Sequence, residues 1–196
     1  MDVMKDVLEK HFSEENLKAL SQKIGADLES TRKAVAAAVP TVMTAMSRKA
    51  SESKESAQAL LNSLDKDHDG SVLDDVGKQF RDTTIGGAAM ASQLFGEGQQ
   101  AVQSGLAKAS GVTDDAMKKL METVTPVVAG AVSKAKSVQN LDADGLKTML
   151  ATQADKVKAA VPEVMGRVNK LLDRDGDGDV DADDLKGAFG KLFGKR

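Results

Sequence analysis

The sequence predicts an all-α, internally duplicated helical bundle with EF-hand-like acidic loops. Three observations lead there. Aromatic residues are only 3% of the 196 residues, with no Trp and no Tyr, while hydrophobic residues reach 41%. The core is then Val, Leu, Ala and Met, which suits close-packed helices better than a β-sandwich. Apolar residues recur at helical spacing along most of the chain, between recognisable caps. Landmarks of the first half also return at a constant offset: Leu20, Gly25 and Pro40 correspond to Leu106, Gly111 and Pro126, each 86 residues on. The expected organisation is a first helical repeat with a short acidic loop over 1–82, a Gly-rich hinge segment over 83–98, and a second repeat over 99–196.

Composition narrows the class. A chain of this length buries a real core. A net charge of −3 argues against a generally basic nucleic-acid binder. The absence of cysteine excludes disulfides, thiolate catalysis and Cys-based zinc sites. The opening residues M-D-V-M-K-D-V-L-E-K lack the apolar core of a signal peptide. No apolar run approaches the ~18–20 residues that span a bilayer. The expectation is a soluble, cytoplasmic protein with no membrane segment; its oligomeric state is not legible.

The elements follow in order. Asp2 to Phe12 reads as a short helix. Ser13 with Glu14 and Glu15 is a helix start, the stripe Leu17, Leu20, Ile24 follows, and Gly25 stops it. Asp27 caps a longer helix with the stripe Leu28, Val35, Val39, Val42, Met43, Met46. Pro40 lies inside it and should kink or split it, because proline removes a backbone donor. Ser51 to Ser56 reads as a polar break. A helix through Leu60, Leu61 and Leu64 runs into an acidic loop. Between Thr83 and Gly98, four glycines surround a short apolar helix, Ala88 to Phe95. It is either a linker or a helix packed closely enough to need Gly and Ala. The opening layout then returns, with the stripe Met117, Leu120, Met121, Val124, Val128, Val132. Asp142 caps a helix carrying Leu146, Met149 and Leu150. A last stripe, Val157, Val161, Val164, Met165, Val168, Leu171, leads to the second acidic loop. Leu185, Phe189, Leu192 and Phe193 form an exiting amphipathic helix.

The chemistry concentrates in the two loops. From Asp173 to Leu185 the sequence reads D-R-D-G-D-G-D-V-D-A-D-D-L, with seven aspartates within twelve residues and one cation, Arg174. Unbound, such charge repels itself; a hard divalent ion accounts for it. The EF-hand loop places ligands at positions 1, 3, 5, 7, 9 and 12, with Gly at 6. Asp173, Asp175 and Asp177 fall at 1, 3 and 5, and Gly178 at 6. Asp179 at 7 gives its backbone carbonyl, Asp181 at 9 ligates through water, and Asp184 stands at 12. This is a Ca²⁺ site by pattern. The segment Asp65 to Val76, D-K-D-H-D-G-S-V-L-D-D-V, is a second such loop, one residue short. Asp65, Asp67 and Asp69 take 1, 3 and 5, Gly70 takes 6 and Ser71 takes 7. Val76 at 12 cannot ligate, and the nearest carboxylate is Asp75 at 11. Either Asp75 closes a compressed site, or the loop has lost its ion and survives as a turn.

The run Ile85 to Ala131, I-G-G-A-A-M-A-S-Q-L-F-G-E-G-Q-Q-A-V…L-A-K-A-S-G-V…V-T-P-V-V-A-G-A, resembles the bacterial YidB-like family, domain of unknown function 937. The segment L-D-K-D-H-D-G-S-V-L-D-D-V is similar to an acidic stretch in many of its members. The resemblance implies a helical fold and no assigned activity. The middle is more polar here than in the family, with Gln93, Glu97, Gln99 and Gln100. The C-terminal loop also resembles a dockerin repeat, but one good copy argues against cohesin recognition.

Catalysis is hard to build from these residues. His11 and His68 stand alone, and no Ser-His-Asp set, phosphate-cradling loop or H-E-x-x-H pattern occurs. The aspartates are better explained as ion ligands than as acid/base pairs, so an enzyme is not expected. Leu17–Gly25–Val35 and Val102–Gly111–Met121 each look like helix–turn–helix. Their second helices offer Arg32, Lys33, Lys118 and Lys119 among acidic neighbours, too little to neutralise phosphates. The nine methionines are spread along the chain and fill core rather than a sensor groove. The expected function is a calcium-binding structural or protein-interaction module with a possible protein partner. The alternative is a helix–turn–helix nucleic-acid binder.

Overall fold

Starting from Glu9, the computed structural model describes residues 9–67, 71–74, 87–163 and 166–168. Among them the chain is helical, without strands. The helices are α1 Glu14–Ile24, α2 Leu28–Glu52, α3 Lys54–Asp67, α4 Gly87–Phe95, α5 Gln99–Ser110, α6 Asp114–Gln139 and α7 Ala143–Ala160. Short 3-10 turns lie at Ser71–Leu73 and Gly96–Gly98. The expected helix Asp2–Phe12 lies largely outside the described residues, and the exiting helix after Leu185 lies wholly outside them.

Helix ends are set by local chemistry. The first N–H groups of a helix have no partner within it, and a polar side chain one step upstream supplies one. The Ser13 hydroxyl accepts from the Asn16 N–H, and the Asp27 carboxylate accepts from the Ser30 N–H at 2.8 Å. Thr113 accepts from Ala116 at 3.1 Å and Asp142 from Gly145 at 2.9 Å. The Ser30 bond holds the Asp27 carboxyl below the usual carboxylate range. This cap is therefore complete at neutral pH and is lost as pH falls through the depressed pKa.

Two C-termini are closed alike. Gly25 has φ 72° and Gly111 φ 76°. The N–H groups of Gly25 and Ala26 both reach the Ser21 carbonyl, and those of Gly111 and Val112 both reach Ala107. An L side chain is strained in this left-handed conformation. Gly111→Ala is expected to cost about 1 kcal/mol. Backbone strain is the cause, because the nearest atom to an added Cβ is Ser30 Oγ at 4.0 Å. Urea unfolding checks the value.

Pro40 does not split its helix: α2 runs for 25 residues through it, and α6 runs for 26 through Pro126. A helix interior loses about 3 kcal/mol to a proline. Here about three turns on each side bury Ala38, Val39, Val42, Met43 and Met46, and that burial offsets the missing bond. The third proline obeys the rule, since α7 ends at Ala160 and Pro162 follows. The expected stripe from Val157 to Leu171 is accordingly divided, with Val157 inside α7 and Val161 beyond it. Val164, Met165 and Leu171 lie outside the described side chains. The polar break shrinks to Ser53, which separates α2 from α3.

Helices α2 and α6 form the centre. They pack on each other; α2 also packs on α1, α3, α4, α5 and α7, and α6 on α1, α3, α4 and α5. One apolar cluster extends from Leu17 to Val168. From Thr123 to Ser133 every residue of α6 is buried, as expected of a helix enclosed on all sides. Met43, Met46, Met117 and Met121 are fully buried and fill core. Helix α4, within the expected Gly-rich segment, buries Met90, Ala91, Leu94 and Phe95 against α6 and α2.

Candidate metal loops

The first acidic loop begins at the end of α3, where Leu60 and Leu64 face the core and carry the following residues to α6. Asp65 and Asp67 lie in the last turn of α3. The Asp65 carboxylate accepts from the Lys136 ammonium of α6. One turn earlier on α6, the Ser133 hydroxyl donates to the Leu64 carbonyl at 3.4 Å. Past the acidic stretch, Ser71–Leu73 forms a 3-10 turn seated on α6. The Ser71 carbonyl accepts from the Asp74 N–H at 3.0 Å. Val72 packs against the core and Leu73 enters it.

Of the residues expected to hold metal, Asp65, Asp67 and Ser71 fall on described backbone. Asp69 and Asp75 lie outside the described residues, as do Asp173, Asp175, Asp177, Asp179, Asp181 and Asp184. Among the described residues no three or more His, Asp or Glu side chains are grouped to hold a metal ion.

Elsewhere several cations are paired with carboxylates. On the two would-be recognition helices, Arg32 pairs with Glu14 at 3.7 Å, Lys33 with Glu29 at 3.4 Å and Lys119 with Asp115 at 2.8 Å. The Lys119 hydrogen bond, with its charge, holds the Asp115 carboxyl low. Three of the four cations proposed for a nucleic-acid face are thus already matched by carboxylates. His11 is buried, and its pKa is lowered by burial and then by the charges of Lys10 and Lys134. Its carbonyl accepts from the Asn16 side-chain amide.

One feature escaped the sequence reading. An open cleft of about 510 Å³ lies where α5 and α6 begin, lined by Glu97, Gln99, Gln103, Ser104, Asp114 and Lys118 among others. The Ser104 hydroxyl donates to Asp114 at 2.9 Å. Gln103 is buried, and its Nε2 has no partner among the described residues. Its signal was a glutamine beside Val102 and Leu106, at the place where the first half carries Leu17.

Residues 6–135 match a bacterial family of unknown function, DUF937. The chain belongs to the DUF937 family. No curated protein and no solved structure matches it. The DUF937 match takes in α1 to α5, most of α6 and the first acidic loop. Lys136, α7 and the C-terminal aspartates lie beyond it. Among the described residues no helix is long and apolar enough to cross a membrane.

Proposed function

We propose that this DUF937 protein is a calcium-binding structural or protein-interaction module, and not an enzyme. The observation that carries the reading is the aspartate spacing from Asp173 to Asp184. Asp173, Asp175, Asp177 and Asp184 supply carboxylates, Asp179 its carbonyl, and Asp181 a water-bridged contact. The ion neutralises a cluster that otherwise repels itself, and it ties together the segments on either side. The helical core supports this as a scaffold. The finer YidB-like kinship belongs to this proposal too. So does an internal duplication, supported by the matching glycine closures at Gly25 and Gly111, the caps at Asp27 and Thr113, and the prolines at 40 and 126. The core is then two copies of one helical unit.

Aspartate at position 12 is one methylene shorter than the usual bidentate glutamate. Affinity is therefore expected in the weaker sensor range, about 10⁻⁶–10⁻⁵ M or poorer. Calorimetric titration with Ca²⁺ should show a binding event that Asp177→Ala abolishes. Unchanged binding by that variant would refute the assignment.

A further inference from the structure

In the first acidic loop, the described ligand atoms are engaged by the protein itself. An EF-hand loop takes a carboxylate oxygen from position 1 and a backbone carbonyl from position 7. Asp65, at position 1, gives its carboxylate to the Lys136 ammonium. Ser71, at position 7, gives its carbonyl to the Asp74 N–H. The backbone departs from the motif as well: Asp67, at position 3, still belongs to α3, and positions 7 to 9 form the 3-10 turn Ser71–Leu73. Asp65 and Ser71 are thus already engaged where a calcium ion would claim them, and the competition has a physical source.

That source is Lys136. Its side chain is 11% exposed, against 47% for Asp65. A lysine whose side chain is enclosed to that degree has few other partners for its ammonium than the aspartate, whereas a half-exposed carboxylate keeps much of its hydration. The lysine therefore depends on the aspartate more than the aspartate on the lysine. A divalent ion at Asp65 would meet the ammonium as a like charge.

We infer that Lys136 is the resident cation of the first acidic loop. Its ammonium is paired with Asp65, the carboxylate that the motif would give to a divalent ion, and it latches the end of α3 to α6 without metal. Ser133, bonded to the Leu64 carbonyl, fixes the same junction from the next turn. The inference concerns the first loop alone and does not depend on calcium at the C-terminal one.

The test combines calcium uptake with a double-mutant cycle on the full chain. In equilibrium dialysis against Ca²⁺, the Asp177→Ala protein, whose C-terminal loop is disabled, should take up no ion. In urea unfolding, Asp65→Ala should raise the unfolding constant about tenfold, because it takes from an enclosed lysine the partner of its ammonium. In a Lys136→Met background, which keeps the apolar stem and removes the charge, Asp65→Ala should change it less than about twofold. Equal losses in both backgrounds would overturn the latch. So would calcium uptake by Asp177→Ala that Asp65→Ala removes. A wild type that takes up no calcium would count against the C-terminal site alone, and the cycle would still decide the latch.

Discussion

Leu120→Ala is expected to destabilise the protein by about 3 kcal/mol. Leu120 is 0% exposed. It lies on α6 between Met117 and Val124, both likewise enclosed, and α6 packs on the other central helix and on α1, α3, α4 and α5. The loss has two parts: the transfer free energy of the deleted methyl and methylene groups, and a cavity that neighbours on several helices cannot all move to fill. For a domain of this size the melting temperature should fall roughly 6–12 °C. Val138→Ala is the control: Val138 is on the same helix but 65% exposed, and the change should stay within about 0.5 kcal/mol. Urea or thermal unfolding of the two variants gives the comparison. A loss under about 1 kcal/mol for Leu120→Ala would mean that α6 is not the enclosed centre of the bundle.

The second large effect concerns the C-terminus. On the proposed reading Asp184 is the position-12 ligand, and the sequence puts it at the start of the expected exiting helix, where a carboxylate is favourable. An ion shared with Asp173 and Asp177 would tie that start to the segment before the loop. An amphipathic stretch carrying Leu185, Phe189, Leu192 and Phe193 depends on packing of its apolar face for helical stability. Calcium is therefore expected to protect this segment from trypsin, which cuts after Lys186 and Lys191. At a hundred times Kd the ion favours the bound form by about 2.7 kcal/mol. Where cleavage follows the open population, the rate should drop up to about a hundredfold. Cleavage after Arg32 in α2 and Lys119 in α6 should not change. Equal cleavage in calcium and in chelator would detach the tail from the ion.

The helix ends of this fold were legible because their chemistry is local. Ser13, Asp27 and Asp142 announce caps within three residues of the N–H groups they accept, and Gly25 and Gly111 close helices through their own backbone freedom. What was not legible depends on residues far away in the chain. Pro40 looks like a break from sequence alone, and only the burial of the turns on both sides explains why α2 passes through it, as α6 passes through Pro126. Pro162 shows the same motif ending a helix where less is buried. The candidate site divides in the same way. The aspartate spacing is visible in sequence, but the partner of Asp65 is Lys136, 71 residues later, and no local pattern points to it. The polar cleft beside Gln103 depends on which face α5 turns inward, and one glutamine in an apolar stripe was a weak signal for that.

The central claim is that the acidic loop from Asp173 to Asp184 binds calcium while the loop beginning at Asp65 is held by a lysine. The number of Ca²⁺ ions bound per wild-type chain tests it most directly, by calorimetric titration of the 196-residue chain. One ion is expected. Two ions would show that Lys136 does not keep the first loop free of metal, and none would show that the C-terminal aspartates serve another purpose.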